Sequence, residues 1–369
     1  MSGLRRLHAV PPGLLEAEPD ALLALLGGPT LLHLKAGTDG SALPGTLFVS
    51  VLLHGNETSG WYAVRQLLRD VPVPPRDLLI LIGNVEAAAA GVRTLPGQRD
   101  FNRMWRDPQG IAREVLRIAA ESPLLAVVDL HNNTGRNPHY SVLTDFSAGS
   151  RGLAALFGDT AVYIEEPATV LTRAFSPHTP NVALELGPVG DAGAARRALA
   201  FLRKLLDLDR IPCAEPGSTR LFRTLARVHL RDGIRFVFSS RESNDGPADC
   251  LRHAATGQTK AAPRSGMNGV DLVLDDAVEA SNFARLPAGT LFGVTAGNQP
   301  LEVLDNGQRI VTARFFDVRG GRILLKSPVV PAMYTTDPNV VRQDCLCYFM
   351  EPVEPNDTAA ATGFADRKD

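Results

Sequence analysis

Between positions 46 and 209, short runs that are almost wholly apolar alternate with amphipathic stretches, and no other feature of the 369-residue chain constrains its fold as strongly. A strand that is apolar on both faces must be covered on both faces. Such strands separated by helices are the pattern of a mainly parallel sheet in an α/β domain. The strand-like runs are 46–53 (TLFVSVLL), 77–82 (DLLILI), 124–130 (LLAVVDL), 161–165 (AVYIE) and 182–186 (VALEL). Helical periodicity falls between them: 60–69 carries Trp61, Val64 and Leu67 at three-residue steps, 110–120 is similar, and 192–208 is alanine-rich and amphipathic.

After Pro212 the long helical period disappears. Short β-like runs recur at 221–230, 234–238, 270–274, 290–294, 309–316 and 322–329, with turn chemistry at Asp232–Gly233, 287–289 and Gly320–Gly321. Length alone makes two cores the expectation. The chain therefore reads as an α/β domain over 1–212, a mostly β domain over 213–353 and a disordered tail over 354–369. Within the second domain, the polar stretch 243–268 reads as a long loop.

Charge narrows the partners. Thirty-eight Lys and Arg against 40 Asp and Glu give a formal charge of -2 with no long run of either sign, so no field gathers nucleic acid or an anionic membrane. The start lacks the apolar segment of a signal peptide, and no apolar stretch reaches the ~18 residues of a membrane span. Cys213, Cys250, Cys345 and Cys347 fit no zinc-ribbon spacing and read as reduced thiols. A cytoplasmic protein with small-molecule or protein partners is expected, and a homo-oligomer is compatible with the sequence.

The residues that carry chemistry gather at the carboxyl ends of the expected strands, where an open α/β sheet builds its binding crevice. His54 follows TLFVSVLL directly, and Glu57 lies three residues on, within HGNE. His131 ends LLAVVDLH, and Glu185 lies in NVALELG. Catalytic zinc commonly takes two histidines and a glutamate and leaves a fourth position for water. His54, Glu57 and His131 supply that set, and Glu185 is a spare carboxylate suited to proton transfer. A lone H-x-x-E is common by chance, so the shared strand-end location carries the reading. Asp129, two residues before His131, suits either an acceptor for a ligand imidazole or a core carboxylate. The segment RTLPGQRDFNRMW offers Arg93, Arg99, Asn102 and Arg103, a set that suits an anionic substrate or, more plainly, a solvated basic loop. Trp105 reads as packing.

Taken in order, HGNE, GN, DFNR, DLHNNTG and ELG resemble the succinylglutamate desuccinylase/aspartoacylase family of carboxypeptidase-like zinc hydrolases over about 46–190. The resemblance implies a carboxypeptidase-like mixed, mainly parallel sheet flanked by helices, followed by a mostly β domain. It implies one zinc ion per chain on His54, Glu57 and His131, with Glu185 as general base. It also implies that Asn102 and Arg103 hold a substrate carboxylate, that Arg93, with Arg99 as the alternative, polarises the scissile carbonyl, and that Arg173 helps bind substrate. In the C-terminal region, EASNFARLPAGTLFG is similar to part of the family's β module, where Tyr334 is the candidate for a tyrosine added to the site.

After D-L-H this chain reads NNTGRNPHY, which departs from the aspartate-releasing and succinylglutamate-cleaving members and points to a different acyl-amino acid. Arg136 and His139 are either pocket-lining or ordinary loop residues. Hydrolysis of a small N-acyl amino acid is the leading expectation. A metallocarboxypeptidase acting on short peptides is the alternative, and a catalytically silent metabolite-binding protein is a third.

Overall fold

The computed structural model describes residues 3–37, 40, 42–214, 217–239, 269–297 and 299–353. The loop expected over 243–268, Cys250 and the tail expected over 354–369 lie outside the described residues. The chain divides into two compact units. The first takes the described residues of Met1–Asn133, His139–Phe222 and Pro352–Asp369; the second takes Thr134–Pro138 and Arg223–Glu351.

The first unit contains strands β1 (Arg5–Leu7), β2 (Thr30–Leu34), β3 (Thr46–Val51), β4 (Leu78–Ile82), β5 (Leu124–Asn133), β6 (Tyr140–Leu143), β7 (Thr160–Tyr163) and β8 (Asn181–Pro188). Its helices are α1 (Leu22–Leu26), α2 (Ser59–Asp70), α3 (Val85–Ala89), α4 (Gly110–Ala119), α5 (Ala148–Phe157) and α6 (Ala192–Leu206). The strands run in the order β1-β2-β4-β3-β5-β8-β6-β7. Only β2–β4 and β6–β8 pair antiparallel within this run, so the sheet is mixed and mainly parallel, as expected.

Burial of every residue of β2, β3 and β4 follows from a sheet covered on both faces. On one face Val49, Val51, Val128, Leu130, Val182 and Leu184 join a core with Trp61, Val64 and Leu67 of α2 and Phe201, Leu202 and Leu205 of α6. On the other, Phe48, Leu79, Leu81 and Val127 join Val115 and Ile118 of α4, Trp105 and Phe175. Helix α2 sits close to the sheet because position 60 is glycine: a Cβ there would lie 2.9 Å from Leu130 Cβ. The buried Arg76 guanidinium donates to the carbonyls of Pro44, Leu206 and Leu208, fastening the end of α6 to the segment ahead of β3. A cation at a helix C-terminus is well placed against the helix dipole.

The second unit is mostly β. Its strands are β9 (Arg220–Leu230, entering from the first unit), β10 (Phe236–Phe238), β11 (Leu272–Leu274), β12 (Leu291–Thr295), β13 (Leu301–Asp305), β14 (Phe316–Arg319), β15 (Arg322–Leu325), β16 (Val330–Ala332) and β17 (Cys347–Pro352). Strands β10-β11-β12-β15-β14 form one sheet; β9 pairs with β17 and β13, and β17 with β16. An aromatic core of Phe238, Phe292, Phe315, Phe316, Tyr334 and Phe349 fills it.

Some elements differ from the sequence reading. The expected strand 309–316 is instead a helical turn, Thr312–Phe315, followed by β14. Thr312 and the two phenylalanines have strand propensity, but the turn turns Phe315 into the core, and the Thr312 hydroxyl accepts from Val303 N at 2.9 Å. Strands β1, β2 and β6 and helix α5 were not among the expected elements. Helix α5 begins with Ser147, whose hydroxyl accepts from Ser150 N. Among the described residues, no helix is long and apolar enough to cross a membrane. Cys213, Cys345 and Cys347 are free thiols.

Candidate metal centre

Strand β3 ends at Val51, and the chain then turns sharply at Leu52, whose φ is 57°. Gly83 N and Asn84 N donate to the carbonyls of Val51 and Leu52, so the turn is fastened to the end of the neighbouring β4. Gly55 is required next: a Cβ on it would lie 2.2 Å from both the Ala87 carbonyl carbon and Ala88 N of α3, while its own N–H donates to Arg93 O. Glu57 N closes the turn on His54 O at 3.1 Å. Two ligand-type side chains thereby project from one tight turn.

His131 arrives from β5. The next residue, Asn132, ties three elements together. Its Oδ1 accepts from Ser59 N at the start of α2, its Nδ2 donates to Ser59 Oγ and Gly187 O, and its backbone N–H donates to Glu57 Oε2. The sequence reading gave Asn132 no role, since its partners are far away along the chain.

One ligand atom from each of His54, Glu57 and His131 lies within 4.8 Å of the other two. His54 Nδ1 is 2.7 Å from Glu57 Oε1, and His131 Nδ1 is 2.7 Å from Glu57 Oε2. The far nitrogens are also held: His54 Nε2 is 3.1 Å from Asp100 Oδ1, and His131 Nε2 is 2.8 Å from Asp129 Oδ2. All three are buried, at 3%, 6% and 5% exposure for His54, Glu57 and His131. A carboxylate behind each imidazole fixes the ring and raises its basicity, as metal-binding histidines usually require. The donor chemistry therefore fits a two-histidine, one-carboxylate cation site.

The electrostatics agree with the geometry. Burial pushes the Glu57 carboxyl up, but the two imidazoles beside it outweigh burial and hold it far below the usual carboxylate range. Burial likewise opposes ionisation of Asp100, and the His54 hydrogen bond with the nearby Arg103 and Arg93 charges reverses it. His131 is driven down by burial and more strongly up by Asp129 and Glu57.

Glu185 behaves in the opposite way. Burial raises it to about 7, with the Glu57 charge adding to the effect and His131, His54 and Arg93 offsetting part of it. It stands directly opposite His131 in the β5–β8 register, so both side chains leave the sheet on one face. Its Oε2 is buried without a hydrogen-bond partner among the described residues.

The arginine segment comes to the same place. Arg93 reaches the cluster, with Nη1 3.4 Å from Glu57 Oε1 and Nη2 3.4 Å from Asp100 Oδ2. Arg99 does not; it is exposed and donates to Arg103 O. Asn102 is buried, its Nδ2 3.3 Å from His131 Nε2 and its Oδ1 accepting from Leu171 N. Arg103 donates to Asn102 O. The segment is pinned by a paired amide contact between Asn84 and Gln98, in which each Nδ2 or Nε2 donates to the other's oxygen at 2.7 and 3.2 Å. Trp105 is buried packing, its indole N–H donating to Phe101 O.

Two expected substrate residues are placed otherwise. The Arg173 guanidinium donates to the carbonyls of Thr144, Ile164 and Glu165 at 2.5, 2.9 and 3.0 Å, which makes it a clasp between loops. Tyr334 belongs to the second unit's core, fully buried, with its hydroxyl donated to Asp275 O at 2.9 Å. This is the packed placement of that tyrosine rather than a substrate-facing one. Arg136 and His139 are both exposed. Asp100 is the residue that sequence reasoning passed over, although it is the first letter of DFNR.

Residues 45–208 match the family described as the succinylglutamate desuccinylase/aspartoacylase catalytic domain. Among solved structures, the chain is similar to the succinylglutamate desuccinylase from Chromobacterium violaceum (18% identity over 86% of this chain and 87% of that one, TM-score 0.50). It is also similar to a succinylglutamate desuccinylase/aspartoacylase from Rhodobacter sphaeroides (13% identity, 88% and 89% covered, TM-score 0.53) and to murine aminoacylase 3 (16% identity, 85% and 96% covered, TM-score 0.50). At these identities the likeness is one of fold. No curated protein matches the chain significantly by sequence. Residues 45–208 thus carry the catalytic domain of the succinylglutamate desuccinylase/aspartoacylase family, the family that the five ordered motifs resemble.

Proposed function

We propose that this protein is a cytoplasmic, zinc-dependent amidohydrolase that adds water across the amide bond of a small N-acyl amino acid, releasing the acyl carboxylate and the amine. One observation carries the reading: the unpartnered, raised carboxyl of Glu185 stands across from His131, beside the convergence of His54, Glu57 and His131.

In this reading His54, Glu57 and His131 hold one zinc ion per chain. When bound, zinc supplies Lewis-acid activation of water and of the amide carbonyl. Glu185, with its affinity for protons raised by burial, takes a proton from the attacking water and delivers it to the leaving nitrogen. Arg93 stabilises the negative charge that develops on the carbonyl oxygen. Asn102 and Arg103 hold the substrate carboxylate, for which a guanidinium fork is geometrically suited. Arg173 and Tyr334 are given no substrate contact, because both Nη atoms of Arg173 and the Tyr334 hydroxyl are already engaged by backbone carbonyls.

The test is a turnover screen of N-acetyl, N-succinyl and N-formyl amino acids beside short peptides, run with elemental analysis of the same preparation. One zinc per chain is expected, with turnover of an acyl amino acid that a chelator abolishes and zinc restores. Faster cleavage of short peptides would replace the reading with a metallocarboxypeptidase, and absence of zinc would remove it.

A further inference from the structure

Strand β3 is buried from end to end, yet its fifth residue, Ser50, is polar and wholly shielded from solvent. A hydroxyl in that position is costly unless it is hydrogen-bonded. It is: Ser50 Oγ donates to Asp129 Oδ1, and the β3–β5 register places the two residues side by side. Asp129 Oδ2 in turn faces His131 Nε2 at 2.8 Å, and His131 Nδ1 faces Glu57 at 2.7 Å.

His131 Nε2 has a second neighbour with the opposite demand. Asn102 Nδ2 lies 3.3 Å from it, and the orientation of that amide is fixed because its Oδ1 accepts from Leu171 N. An amide N–H can pair only with an Nε2 that carries a lone pair, whereas the Asp129 carboxylate pairs only with an Nε2 that carries a proton. The two contacts select opposite tautomers. Only the one selected by Asp129 leaves the Nδ1 lone pair directed at Glu57 and the space between the ligand atoms.

We propose that Ser50 is a positioning residue for the metal centre: it locks the Asp129 carboxylate against His131 Nε2, so that His131 presents Nδ1 to the ion. The inference rests on the metal reading above and extends it to a residue that touches neither ion nor substrate. Without the hydroxyl, Asp129 is free to rotate, and the Asn102 contact draws the ring toward the wrong tautomer.

The zinc dissociation constant, measured by chelator competition at one pH, is to be compared in the wild type, Ser50→Ala and Ser50→Thr. The His131 Nε2–H proton is to be followed by NMR in the zinc-loaded proteins. Ser50→Ala is expected to weaken zinc binding about tenfold, the usual effect of removing support behind a ligand, and to shift or broaden the Nε2–H resonance. Ser50→Thr, which keeps the hydroxyl, is expected to restore both to within about threefold. If Ser50→Ala does not fold, Ser50→Cys, similar in shape but a poor donor, takes its place. Unchanged affinity and resonance in the hydroxyl-free variant would overturn the proposal, as would equal losses in Ser50→Ala and Ser50→Thr, which would mark a packing effect. Failure of the wild type to bind zinc would instead remove the metal reading itself.

Discussion

The buried polar side chains at the carboxyl ends of β3, β5 and β8 and those around Tyr334 in the second unit are satisfied in different ways. In the first region the titratable groups, Glu185 apart, have other titratable groups as partners: Glu57 stands between two imidazoles, and an aspartate stands behind each imidazole. In the second the partners are backbone. Tyr334 Oη donates to the Asp275 carbonyl, and the Asn282 amide exchanges two hydrogen bonds with the Tyr334 backbone. Phenylalanine rings stand edge-on around the tyrosine, and burial lifts its phenol well above the ordinary value. A group satisfied by backbone stays in one protonation state and serves packing. Groups satisfied by one another can exchange protons for a cation, and that is the difference between a core and a site.

The comparison breaks most sharply at His131. His131→Ala is expected to strip the metal and reduce turnover to background, with elemental analysis as the measurement; undiminished zinc in a folded His131→Ala protein would show that the cluster is merely a buried ion-pair network. Glu185 comes next. Glu185→Gln is expected to keep zinc while turnover falls by roughly 10²-fold or more. Lost zinc with retained activity would exchange the roles of Glu185 and Glu57. The same carboxyl sets a pH dependence. Its affinity for protons is raised, to about 7 without metal, and a base must be ionised to act, so activity is lost as pH falls through its pKa. A bound cation pulls that value down, so the acid limb of the kcat/KM profile is expected below pH 7 and is expected to vanish in Glu185→Gln.

A smaller effect is expected at Arg103. Arg103→Lys replaces a planar fork by a point charge, and kcat/KM for an N-acyl amino acid should fall about tenfold or more, in line with the ~1.5–3 kcal/mol of a hydrogen bond to a charged group. The amide-capped substrate should be little changed. Equal losses on both would dissociate Arg103 from carboxylate binding. The smallest effect belongs to the other region: Tyr334→Phe should cost about 1 kcal/mol of stability, the usual worth of one hydrogen bond, and leave turnover as it was. A marked fall in turnover would return Tyr334 to the site and erase the distinction between the two regions.

The same contrast governs what could be read from sequence. His54, His131 and Glu185 were legible because each interrupts or follows an apolar run, where a polar residue needs a reason, and Glu57 because it lies three residues beyond His54. Asp129 was ambiguous until its distance to His131 Nε2 resolved it. Asp100 and Ser50 were not legible as partners, since their pairings depend on loop closure and on the β3–β5 register, neither of which leaves a trace in spacing. Arg173 and Tyr334 illustrate the converse: an arginine or a tyrosine looks the same in sequence whether it ends on a substrate or on a carbonyl. In the second unit, alternation gave β10–β12 and β15 approximately, whereas the helical turn Thr312–Phe315 went unseen because packing of Phe315 overrode local propensity.

The paired amides of Asn84 and Gln98 have a consequence for binding. Asn84 also caps α3 through Ala87 N, and Gln98 Oε1 also accepts from Leu95 N, so the segment bearing Arg93, Asn102 and Arg103 is anchored to the end of β4 independently of any ligand. An arginine on a free loop must be ordered when its ligand arrives, at a cost of conformational entropy that is subtracted from affinity. Here much of that ordering is completed when the chain folds, so that, in the proposed reading, a small anion with few atoms to offer is still held firmly enough to be oriented.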